Sequence, residues 1–141
     1  MLPCSGIGKN SGTLSRWAAF ELASSVRPEK VRLLCLARLT VGDEDASELL
    51  KGRVVLTIDG CTKKCATLNA ERRGARVAKS YLAVKFIARH KDLKLGRDVT
   101  DPGPDALVLA KRLAEEIASD VDELDQLDAR GAADEPEEVA G

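Results

Sequence analysis

At 141 residues with 44 % hydrophobic side chains, the chain has the length and apolar content of one domain with its own core. No run approaches the roughly eighteen apolar residues of a membrane helix, and the start lacks the basic-then-apolar pattern of an export signal, so a cytoplasmic protein without a membrane span is expected. The net charge of −1 hides a polarised chain: residues 1–114 hold 21 of the 22 Lys and Arg against 12 Asp and Glu, and residues 115–141 hold 11 acidic groups against Arg130 alone.

Residues 1–13 carry a thiol, Cys4, and a loop with Gly6, Gly8 and Gly12. Leu14, Trp17, Ala18 and Leu22 then recur at helical spacing, with Thr13 placed as the N-cap and Pro28 marking the stop. Glycine-freed amides at a helix start can cradle an anion or solvate thiolates. The spacing matches neither GxxxxGK[ST] nor GxGxxG, however, and a flexible turn that positions Cys4 accounts for the glycines equally well. The dense apolar run Val31–Leu39 is expected to be a buried strand ending near Cys35. Asp43 is placed to cap a short helix over residues 44–51, closed by Gly52.

Val54–Asp59 is an apolar, β-branched run of strand length, and this is the expected central strand. A helix over about 62–73 follows, ending at Gly74, and Ser80–Ile87 is expected to be another strand. His90, the only histidine, lies in a basic stretch and is expected at the surface or in a loop. Asp101-Pro102-Gly103-Pro104 forms a turn, beyond which Leu107, Ala110, Leu113, Ala114, Ile117, Val121 and Leu124 make a helical stripe. The acidic tail 129–141 is too polar to order itself.

Strands alternating with helices predict a single α/β domain over residues 1–128, a three-layer sandwich with a mostly parallel sheet. Ligands of such sheets sit at the carboxyl ends of the strands, where Cys4, Cys35, Cys61 and Cys65 are all expected to fall. In a reducing compartment four cysteines point to metal ligation, redox chemistry or plain burial, not to two structural disulfides.

Residues 59–66 concentrate this chemistry. Gly60 supplies a turn that lets Cys61 swing out at the strand end, while Cys65 falls one helical turn further on. Helix-terminal amides and the flanking Lys63 and Lys64 favour a thiolate there. A lone cysteine at a strand end is usually a small core hydrophobe, but two with a three-residue spacer have metal-ligand spacing. A redox pair, with Cys61 attacking and Cys65 resolving, fits the same residues, although CxxxC is one residue longer than the oxidoreductase motif. Basic groups dominate residues 63–97, a face for an anionic partner or for the chain's own acidic tail. Only Trp17, Phe20, Tyr81 and Phe86 are aromatic, so a stacking surface for nucleic acid is not indicated.

Four segments together, Pro3-Cys4-Ser5-Gly6-Ile7-Gly8, Cys35-Leu36-Ala37, Asp59-Gly60-Cys61 and Cys65-Ala66, resemble the DGC-domain family over roughly residues 2–90. The family takes its name from the motif found here at 59–61. The resemblance implies that Cys4, Cys35, Cys61 and Cys65 are zinc ligands. One departure is the length of the opening strand, because only Met1, Leu2 and Pro3 precede Cys4. Four thiolates would close a tetrahedral zinc site, structural or for metal handling and transfer, with Asp59 behind the ligands. Three would leave an open, Lewis-acidic position, and a [4Fe–4S] cluster would accept the same four sulfurs.

Overall fold

A computed structural model of the chain describes residues 1–6 and 8–133. Its sheet has three parallel strands, β1 (Leu2–Pro3), β2 (Val54–Asp59) and β3 (Arg76–Leu82), in spatial order β1-β2-β3. Helices α1 (Asn10–Glu21), α2 (Leu36–Thr40), α3 (Glu44–Glu48), α4 (Cys65–Arg72), α5 (Ala83–Arg89) and α6 (Pro104–Ala133) complete the fold, with a π-helical turn at Leu22–Val26.

Alternation along β2 builds the layers. Leu56 and Ile58 point to one face, where they meet Leu14, Ala18 and Leu22 of α1, Phe86 of α5 and Leu109, Leu113 and Ile117 of α6. Val55 points to the other, into a core of Leu2, Leu36, Leu39, Ala46, Ala66 and Ala70. The expected α/β sandwich with a parallel sheet is therefore present. Bulging at Val55/Leu56 shifts the β2–β3 register, and β3 is the exposed edge.

Several elements differ from expectation. The run from Val31 is not a strand: residues 31–35 are extended but irregular, and helix α2 starts at Leu36. The Met1 nitrogen donates to Arg32 O at 2.9 Å and Leu34 N–H donates to Met1 O at 3.0 Å, one rung of a parallel ladder beside β1. Cys35 thus still ends an extended segment parallel to the strands. The third strand runs from Arg76 to Leu82, and Ala83–Arg89, whose apolar residues suit a strand equally well, forms α5. It buries Ala83 and Phe86 three residues apart, on one helical face.

Helix α1 begins at Asn10, not after Thr13, and Lys9 at its N-cap makes no side-chain cap. Thr13 lies inside the first turn, where its hydroxyl bonds Val99 O. Asp43 does cap α3, accepting from Ala46 N–H at 2.9 Å. Leu107, placed on the buried stripe of the last helix, is 61 % exposed, and Leu109 takes the core position. The acidic tail expected from residue 129 overlaps the end of α6, which runs to Ala133; its remainder, 134–141, lies outside the described residues.

Candidate functional site

Cys4 follows β1 directly, and its N–H donates to Ile58 O at 2.8 Å, so its backbone is fixed to the end of β2 despite the brevity of β1. Leu2, fully buried, anchors that two-residue strand from below. Cys61 lies two residues beyond the end of β2, and Cys65 opens α4. Cys35 is the residue before α2. Arg73, just past α4, donates to Thr40 O at 3.2 Å, which puts the carboxyl ends of α2 and α4 together and leaves the amino ends, with Cys35 and Cys65, on the side of the strand ends.

All four cysteines carry free thiols. Cys4 and Cys61 are half-buried, Cys35 and Cys65 exposed. None fills core space, so the reading of these residues as small core hydrophobes does not hold. The backbone brings the four to one sheet edge, but the thiols are not gathered: among the described residues no three His, Cys, Asp or Glu side chains stand close enough together to hold a metal ion.

The turn between Cys61 and Cys65 is not the first turn of a helix, as the spacing suggested. Lys64 N–H donates to Cys61 O at 3.1 Å, and Lys64 adopts a left-handed conformation, φ 53° and ψ 45°. Among the described residues it is the only non-glycine with positive φ. Such a conformation costs roughly 1–2 kcal/mol and persists only where surrounding contacts enforce it.

Asp59 provides that enforcement. Fully buried, it accepts from Ala66 N–H at 2.7 Å and from the Thr67 hydroxyl, so the end of β2 caps α4 across the loop. Thr67 has one hydroxyl proton and gives it to Asp59. Its oxygen therefore accepts from Thr57, at 2.6 Å, and from Ser80, at 2.9 Å, which saturates the group and joins strand β2, helix α4 and strand β3 at one oxygen.

Three glycines complete the scaffold. A Cβ on Gly60 would stand 2.7 Å from Gly12 Cα and N, and one on Gly12 would stand 2.6 Å from Gly6 Cα. Gly6, Gly12 and Gly60 are thus stacked backbone to backbone, bringing the Cys4 loop, the first turn of α1 and the Cys61 turn into contact. Arg16 holds the same loop by donating to Ser5 O at 2.7 Å. The glycines serve close packing that fixes Cys4 and Cys61 on a rigid support; from sequence, Gly6 and Gly12 are loop residues, Gly60 a turn residue and Asp59 only an outer group.

Two residues of the basic stretch find acidic partners on α6. Lys79 pairs with Asp120, and Arg89 with Glu116 at 2.9 Å. Asp122 receives Arg27 at 2.7 Å and Lys30 at 3.0 Å, hydrogen bonds that hold its carboxyl far below the usual range. Burial, and donation to Asp120, push the Tyr81 hydroxyl well above its ordinary value. His90 caps the end of α5, half-buried, with its ring 4.2 Å from that of Phe86. A cavity of about 250 Å³ lies toward the start of β2, lined by Leu2, Val31, Leu34, Leu50 and Val55, and no cysteine lines it.

Comparison with known protein families matches residues 1–102 to the DGC domain. The chain belongs to the DGC domain family. The match spans all four cysteines, the Asp59-Gly60-Cys61 triplet and every strand, and leaves all of α6 outside. No curated protein and no solved structure matches the chain. No helix among the described residues of this DGC protein is long and apolar enough to cross a membrane.

Proposed function

We propose that this DGC protein binds a metal ion, zinc, through the thiolates of Cys4, Cys35, Cys61 and Cys65, in the reducing cytoplasm. The observation that carries the reading is that four free, unburied thiols lie at the carboxyl edge of one parallel sheet, those of Cys4, Cys61 and Cys65 on segments held by the Asp59 cap and the glycine stack. The donor set suits a soft or borderline cation: zinc takes four sulfurs at about 2.3 Å, and a [4Fe–4S] cluster takes the same ligands. When bound, zinc supplies charge neutralisation of the thiolates and a cross-link between three segments of chain. Four sulfurs close its coordination, so the role is structural or one of metal handling.

What the chain itself does is position and release donors. Asp59 and Gly60 hold the Cys61 turn, Ile58 O holds Cys4, and Cys35 and Cys65 present their thiols to solvent. A metal held by Cys4, Cys35, Cys61 and Cys65 would need their thiols deprotonated, so affinity would fall as the solution is acidified.

A second reading, thiol redox at Cys61 and Cys65, is favoured by the tight turn joining them and the exposure of Cys65. The test separates the two. Protein purified anaerobically without added metal is analysed for zinc and iron and by absorption, alongside Cys61→Ser and a Cys4→Ser/Cys35→Ser variant. Near-stoichiometric zinc lost in both variants is expected. Metal-free protein whose double variant still forms a Cys61–Cys65 disulfide would replace the metal reading with the redox one, and visible absorption with iron would replace zinc by a cluster.

A further inference from the structure

Beside the thiol turn, at the carboxyl end of β3, the surface sinks into a hollow of about 320 Å³, near the lower bound of small-ligand pockets, roughly 300–1,000 Å³. Its floor is apolar, made by Phe86 and Leu113, each 2 % exposed, with Leu82 beside them. Its rim carries Lys64, Lys85 and Arg89 against one acid, Glu116. Lys85 and Arg89 are four residues apart on α5 and so share a face of that helix.

The polar groups of the hollow divide sharply. The Ser80 hydroxyl is engaged with Thr67 and the Tyr81 hydroxyl with Asp120, so the neutral donors are already satisfied within the protein. Arg89 bonds Glu116 and lies over the Phe86 ring, its guanidinium carbon 5.4 Å from the centroid. Lys64 and Lys85 form no ion pair among the described residues. Unspent capacity in this hollow is therefore cationic, above an apolar floor, at the strand ends where ligands of parallel sheets are found. Lys64, one of its lining residues, is also the one whose backbone is left-handed.

We propose that this hollow binds a small organic anion, its phosphate or carboxylate head between Lys64, Lys85 and Arg89 and its apolar body on Phe86 and Leu113. Lysine and arginine meet such heads by charge-assisted hydrogen bonds, and an aromatic floor rewards a flat apolar body. The pocket uses no cysteine, and its test stands apart from that of the metal reading.

The test is titration of the full chain, without added metal, with phenyl phosphate, benzoate, inorganic phosphate and benzyl alcohol, followed by amide chemical shifts. Saturable shifts are expected at Lys64 and residues 80–89 for phenyl phosphate or benzoate, the tighter of the two identifying the head group. Binding at least about tenfold weaker is expected for inorganic phosphate, which lacks the body, and for benzyl alcohol, which lacks the charge. Lys85→Gln should weaken binding several-fold, whereas Lys91→Gln, outside the hollow, should leave it unchanged. Lys64→Gly should also weaken binding while the protein melts no lower than the parent, which separates a lost contact from a lost fold. Shifts that do not saturate, inorganic phosphate binding as tightly as phenyl phosphate, or affinity indifferent to Lys85→Gln would overturn the proposal.

Discussion

Gly60 has no room for a methyl group. Its neighbour is the backbone of Gly12, which cannot rotate away, so Gly60→Ala forces apart the Cys61 turn and α1. Overpacking of this kind costs about 1–3 kcal/mol, and urea unfolding of Gly60→Ala should show a loss in that range. Asp59→Ala removes the cap of α4 and leaves Thr67 without the acceptor of its proton; a loss of about 1.5–3 kcal/mol is expected from a hydrogen-bonded charge, again by urea unfolding. An effect below about 0.5 kcal/mol for either would mean that the turn is not held as described. The Asp59-Gly60-Cys61 triplet was legible as a strand end bearing a thiol. The physical work of its first two residues was not, because Gly12, Ala66 and Thr67 become neighbours only once the chain has folded.

Among the elements, α6 shows how a helical stripe can be assigned with the wrong edge. Spacing put Leu107 on the buried face, whereas Leu109 occupies it, fully buried against the sheet. Leu109→Ala should therefore cost about 2–5 kcal/mol and Leu107→Ala less than about 0.5 kcal/mol, read as unfolding midpoints. Equal effects would contradict the packing. The pairing of Arg27 and Lys30 with Asp122 fastens the end of the π-helical turn to α6. Because the Asp122 carboxyl is held below its ordinary value of 3.8, its contribution is fully present above that pH and is lost as the pH falls below it. The melting-temperature gap between the parent and Arg27→Gln should accordingly be present at neutral pH and shrink under strong acid. A gap that persists unchanged would show that the pair does not act through the carboxylate.

Strand and helix limits were least legible where apolar content was highest. Val31–Leu39 and Ala83–Arg89 carry enough branched residues for either structure, and tertiary placement decided between them: the first lies beside β1 and then coils, the second packs Phe86 under α6. Val54–Asp59 was unambiguous because a continuous apolar run bounded by Gly52 and Gly60 suits a strand buried on both faces.

For the whole molecule, part of the polarised charge is met internally, acids of α6 pairing with Arg27 and Lys30 after α1, Lys79 of β3 and Arg89 of α5. The parallel sheet was legible from the alternation of elements, and with it the edge at which the four cysteines stand. Their exposure was not, since burial depends on what covers the strand ends, and that is set by three glycines and one carboxylate.

The central claim is that these four sulfurs form one metal site, and X-ray absorption at the zinc edge of the zinc-loaded full chain tests it most directly. The account predicts a first shell of four sulfurs at about 2.3 Å, one shell member being replaced when Cys35 is changed to serine. A shell of nitrogen and oxygen at about 2.0–2.1 Å, or one unchanged by that substitution, would contradict it.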